Sequence, residues 1–164
     1  MADDFWGSLG SIVGIGVGSM EIMLVSPRVK PGGTVHGRLM LKLARKTEAK
    51  KLVIGIEAIE TRERETVDAR GYRTRSNEAR VLHRFEQQLD GTRAYQNEAY
   101  DLHLPVPAQA TVELPQGVLG DVARFVSAVQ SLRRDPPKWS VYATLEIPWK
   151  ANVRARVDLS ILTS

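Results

Sequence analysis

Three histidines, His36, His83 and His103, are the chain's candidates for metal ligation or proton transfer, and no cysteine accompanies them. A zinc site needs three or four converging ligands, and none of the three has a second histidine one helical turn away. His83 shares its parity with Val81, Phe85 and Leu89 and reads as a core histidine. Serines are plentiful, but none sits in the Gly-x-Ser-x-Gly turn that lifts a nucleophile above a sheet. Glu57, Glu60, Glu63 and Glu65 read as strand-face and loop charges. The run Gly14-Ile15-Gly16-Val17-Gly18 resembles a phosphate loop in spacing alone. Such a loop must follow a strand and open a helix, so that backbone N–H groups face the phosphate. Here the glycines lead into a predicted strand, and no Gly-Lys-Ser/Thr follows. The sequence therefore offers no catalytic, cofactor-binding or metal-binding residue, and it predicts no enzyme.

Arginine is the other chemical resource. Arg62, Arg64, Arg70, Arg73, Arg75, Arg80 and Arg84 cluster around Tyr72. Glu63, Glu65, Asp68 and Glu78 are interleaved with them, whereas a phosphate-binding surface needs net positive density. That balance argues against nucleic acid as the partner. Arg64–Arg80 is the most polar stretch and reads as a long, mobile hairpin connection centred on Gly71-Tyr72-Arg73. Loops on a rigid scaffold carry binding residues, and Tyr and Arg dominate protein-binding hot spots. Tyr72, Arg73, Arg75 and Arg70 are accordingly the candidate partner-binding residues. A second candidate lies at the N-terminus. Phe5, Leu9, Ile12, Val13 and Gly16 share one helical face with Asp3 or Asp4 as cap. The spacing predicts a short docking helix near 4–13, with Phe5, Trp6, Leu9 and Ile12 seated on the chain's own core, on a partner, or on a membrane surface.

The elements that must position these residues read as strands. Val35, Leu39, Leu41 and Leu43 alternate with polar residues, and Leu52–Glu63 begins apolar on both parities, as a central strand would. Alternation returns in Val81–Leu89, Tyr100–Val106, Trp139–Ile147 and Val153–Ile161, with Pro31-Gly32-Gly33, Asp90-Gly91 and Pro148-Trp149-Lys150 as turns. One segment differs: Val118, Val122, Phe125, Val129 and Leu132 recur at helical intervals, and Asp135-Pro136-Pro137 ends the run. The reading is an all-β antiparallel sandwich with a short N-terminal helix and one inserted amphipathic helix at about 117–134. Residues 1–18 form the N-terminal helix and a glycine-rich hinge, and 19–164 form a single sandwich domain. The length of 164 residues, with 43% hydrophobic and 26% charged, suits that size and argues against bulk disorder. Absence of cysteine excludes a disulfide framework and suits a reducing compartment. The longest weakly polar stretch, Phe5–Gly18, is too short to span a bilayer and lacks a basic leader. A cytoplasmic location is expected.

Three stretches carry a resemblance. Val13-Gly14-Ile15-Gly16 leading into Glu21–Leu24 is similar to the entry to strand one of the sporulation-control family of bacteria and archaea. Val29–Leu39, with its Pro31-Gly32-Gly33 turn, resembles an arrestin strand and the turn before it. Trp139–Trp149 resembles a later strand of the same family, with Glu146 where Asp is usual. The resemblance implies an arrestin-like fold and a non-enzymatic module that scaffolds or regulates other proteins. Arrestin-like relatives have two consecutive sandwiches and this chain has length for about one, so a homodimer is expected, either by edge pairing or by packing of the 117–134 helix. The alternative is a membrane-peripheral adaptor that uses the N-terminal helix.

Overall fold

Short alternating runs closed by Gly, Pro or Asp fold here into two facing antiparallel sheets. The computed structural model describes residues 16–108 and 136–162, together with the backbone of Ser8–Leu9 and Ser11–Val13. One sheet has the order β1 (Ser8–Leu9), β3 (Gly18–Leu24), β5 (Thr34–Leu43), β10 (Glu98–Pro105). The other runs β2 (Ser11–Val13), β12 (Val153–Ile161), β11 (Lys138–Glu146), β7 (Lys51–Val67), β8 (Arg73–Asp90). Short β4 (Arg28–Val29) lies parallel to the end of β12, and β6 (Thr47–Ala49) pairs with β9 (Arg93–Tyr95).

The period-two pattern decides the core. Met20, Ile22 and Leu24 of β3 and Val35, Leu39 and Leu41 of β5 face inward from the first sheet, all at most 2% exposed. Leu52, Ile54, Ile56 and Ala58 of β7, Val141, Ala143 and Leu145 of β11, and Val153, Ala155 and Val157 of β12 meet them from the second. Each fully buried aliphatic side chain contributes roughly 1.5–3 kcal/mol. Trp139 is buried in the same cluster.

The chain stitches one side of the sandwich by changing sheets. β1 pairs with β3 and β2 with β12, and β4 carries the chain from β3 onto β12. Ser160 N–H donates to the Pro27 carbonyl at 2.7 Å, and Leu162 N–H to the Val29 carbonyl at 2.8 Å. The N-terminal helix read from the sequence is therefore wrong. Leu9 pairs with Met23, and Ile12 pairs with Ala155. Gly7 and Gly10 explain the outcome: each costs a helix about 1 kcal/mol relative to Ala, while the open edges of β3 and β12 offer this backbone ladder partners. Phe5 and Trp6 lie outside the described residues, as does the helix expected over 117–134. Among the described residues there is no helix.

The expected loop Arg64–Arg80 also changes. β7 and β8 continue through it in register, from Leu52 opposite Asp90 to Val67 opposite Arg73, with irregularities at Leu52/Val53 and Ala58/Ile59. The connection proper is Asp68–Tyr72.

Candidate functional site

The β7–β8 hairpin outruns the sandwich. Glu60 is still buried, but from Thr61 onward most of β7, and nearly all of β8 back to Gln88, is exposed. The strand segment Thr61–Val67 projects about 20 Å at the usual rise per residue. Charged side chains replace a core along this ribbon. Arg62 Nε pairs with Glu60 at 2.7 Å, and diagonal pairs join Arg64 to Glu78 (3.9 Å), Arg75 to Glu63 (3.7 Å) and Arg73 to Glu65 (3.6 Å). The last three are exposed pairs, each worth no more than about 1 kcal/mol. Together they cancel most of the local field.

The tip has a fixed shape. Gly71 N–H donates to the Asp68 carbonyl and Asp68 N–H to the Tyr72 carbonyl, both at 3.0 Å. Asp68 Oδ1 also accepts from the N–H groups of Arg70 (2.8 Å) and Tyr72 (2.9 Å). Gly71 has φ +83°, where only glycine sits without steric cost. This is a type I turn closed by a left-handed glycine, the usual three-residue hairpin loop. It leaves Tyr72 70% exposed on one face and Val67 61% exposed on the other. All four sequence candidates, Arg70, Tyr72, Arg73 and Arg75, fall on or beside this tip. Arg73 and Arg75 carry their ion pairs there, and Arg70 is in none among the described residues.

A polar cluster on the outer face of the second sheet anchors the base of the arm. Glu57 of β7, 1% exposed, stands opposite Arg84 of β8 and Ser140 of β11. Arg84 donates from Nε (3.2 Å) and a terminal nitrogen (2.8 Å) to Glu57 Oε2. Arg156 of β12 places one terminal nitrogen against Oε1 and donates from the other to Ser140 Oγ at 2.9 Å. The guanidinium groups of Arg84 and Arg156 each lie 5.9 Å from the centre of the Tyr142 ring, and its hydroxyl donates to Glu86 Oε2 at 2.8 Å. Burial alone would raise the Glu57 carboxyl, but the hydrogen bonds and charges of Arg84 and Arg156 hold it below the usual carboxylate range. Burial and the bond to Glu86 push Tyr142 up to about 12. With Glu57 Oε2 hydrogen-bonded by Arg84, Oε1 in ion-pair contact with Arg156 and the phenol kept protonated, the cluster ties four strands together. Sequence reading took Glu57 for a surface charge. The clue was its position inside the apolar run Leu52–Ile59, with arginine available on neighbouring strands.

The histidines are partly brought together. His36 and His103 face each other across β5 and β10, both exposed, with Nδ1 atoms 2.9 Å apart. His83 lies apart, half-buried against the Trp139 ring at 5.6 Å between centroids. No group of three or more histidine, aspartate or glutamate side chains converges on a metal position among the described residues.

Similarity to solved structures bears on this sandwich directly. Its backbone matches Spo0M, the sporulation control protein from Bacillus subtilis, with a TM-score of 0.58 at 11% sequence identity. The fold is shared with Spo0M. The match covers 92% of this chain and 51% of Spo0M, so the chain spans about half that protein's length. At this identity the likeness to Spo0M is one of architecture, and it fits the arrestin-like sandwich implied by the sequence resemblance. No protein-family model matches the sequence, and no curated protein sequence does.

Proposed function

We propose that the protein is a non-enzymatic interaction module, an arrestin-like scaffold or regulatory adaptor that grips another protein with the tip of the β7–β8 arm. One observation carries the reading: a rigidly turned hairpin holds Tyr72 and Val67 exposed at the end of a charged ribbon that contributes nothing to the core. A sandwich gains no stability from such an arm, whereas a partner would gain a pre-shaped tip with Tyr72 on one face and Val67, Arg73 and Arg75 on the other. The Spo0M likeness supports a regulatory, scaffold-type fold and leaves function to the site. The edge of β8 bears no strand among the described residues, and a second copy pairing there would form a homodimer. The membrane role assigned to an N-terminal helix has lost its element.

The test is capture of cellular partners by tagged wild-type protein and by the triple variant Tyr72→Ala, Arg73→Ala, Arg75→Ala. Specific partners should be lost from the variant while its melting temperature stays unchanged, because exposed substitutions usually stay within about 0.5 kcal/mol. An identical partner list from the folded variant would exclude the tip.

A further inference from the structure

The end of the sandwich remote from the arm has a different composition. Here β5 ends, β6 and β7 begin, and the β11–β12 turn Pro148-Trp149-Lys150 projects. Lys50 N–H donates to the Glu146 carbonyl at 2.8 Å and Lys51 stands opposite Glu146, so this turn and the β6–β7 junction form one surface. Ile147 is buried and donates its N–H to Asn152 Oδ1 at 3.1 Å, which fixes the base of the turn. Trp149 at its summit is 103% exposed and has φ 60°. Folding accounts for neither feature. A left-handed position favours Gly or Asn and disfavours a bulky side chain, and an indole that buries nothing in its own fold recovers none of that cost.

The charges at this end that are in no ion pair among the described residues are mostly lysine. Lys42, Arg45, Lys46, Lys50 and Lys150 are exposed and in no ion pair among the described residues. Of the acids nearby, Glu146 pairs with Lys51, and Asp90 and Glu98 both pair with Arg93, which leaves Glu48 and, diagonal to Lys42 on the outer face, Glu21. Lysine is depleted in protein–protein interfaces, where arginine is preferred for its bidentate geometry. A diffuse set of flexible ammonium groups around a protruding indole suits a smeared negative potential with an apolar interior close beneath it.

We propose that this end docks on an anionic lipid bilayer, with Trp149 entering the headgroup region and Lys46, Lys50 and Lys150 resting on the surface. β7 begins in this surface and runs away from it to the hairpin tip, so a docked molecule would point its arm away from the bilayer. The inference does not depend on what the arm binds.

Co-sedimentation of the full chain with vesicles tests it. Binding should require phosphatidylglycerol in phosphatidylcholine vesicles, weaken steeply with salt, and blue-shift tryptophan emission. Trp149→Gly should abolish that shift and weaken binding while leaving the fold intact, because glycine suits φ 60°. Lys46→Gln with Lys50→Gln and Lys150→Gln should weaken binding about a hundredfold, at roughly fivefold per lysine. The hairpin triple variant should bind as wild type. The proposal is overturned if folded wild-type protein stays in the supernatant, if phosphatidylcholine alone binds it equally, or if Trp149→Gly keeps both binding and shift. It is equally overturned if, at equal ionic strength, inorganic phosphate or polyglutamate displaces the vesicles far more effectively than chloride, since the ligand would then be a free anion or an acidic protein.

Discussion

Replacing Glu57 by Gln removes the one negative charge that Arg84 and Arg156 share. Taking one partner from a fully buried pair costs about 3–5 kcal/mol, chiefly through the charge left behind. Here the Glu57 side chain is 2% exposed, but Arg84 and Arg156 are 54% and 50% exposed and can recover hydration. The glutamine oxygen also keeps one acceptor, worth about 1 kcal/mol. These offsets bring the expected loss to about 2 kcal/mol, or a fall of about 4–8 °C in melting temperature for a chain of this size. The pH dependence supplies a second check. The folded carboxyl lies below its unfolded value, so its contribution is complete above about pH 4.5. That contribution is lost as pH falls through the folded value, where wild type becomes as neutral as the variant. Urea unfolding of both proteins from neutral to acid pH should therefore show a constant gap that closes under acid. A gap below about 0.5 kcal/mol at neutral pH, which is the scale of ordinary surface substitutions, would refute the reasoning. So would a gap that persists unchanged into acid.

Other substitutions probe the core, the outer face and the tip. Gly55→Ala would place a Cβ 2.5 Å from Tyr142 Cζ and 2.7 Å from the Phe85 carbonyl, and should cost about 1–3 kcal/mol by calorimetry as the ring is displaced. Trp139→Ala, at a site 7% exposed, should cost about 3–5 kcal/mol in urea unfolding. Gly71→Ala should leave the global melting temperature nearly unchanged and speed hydrogen exchange of the Asp68 and Gly71 amides about tenfold, since φ +83° costs a side chain about 1–2 kcal/mol.

What could be read from the sequence follows the physics of each element. Trp139–Ile147 and Val153–Ile161 were legible because one buried face forces alternation, and the structure keeps that parity except at Ser140, which is buried on the outer face beside Glu57. The N-terminal segment was not, because Phe5, Leu9 and Ile12 fit a helical face while the sheet edges that captured Leu9 and Ile12 exist only after folding. The arm misled for a related reason. Arg64–Arg80 has no apolar alternation because neither face of the ribbon meets a core, so it resembled a loop; Asp68-Ala69-Arg70-Gly71 still carried the turn signal. The His36–His103 pair and the Glu57 cluster depend on register between strands far apart in sequence, which local spacing cannot encode.

The central claim is that the hairpin tip, rather than a sheet face, meets the partner. Placing a photo-activatable cross-linking residue at Tyr72, and in a second protein at Asp158 on the exposed outer face of β12, tests it in living cells. Discrete adducts to another protein from position 72, absent from position 158, are the predicted result. Adducts from 158 alone, or the same pattern from both positions, would contradict the account.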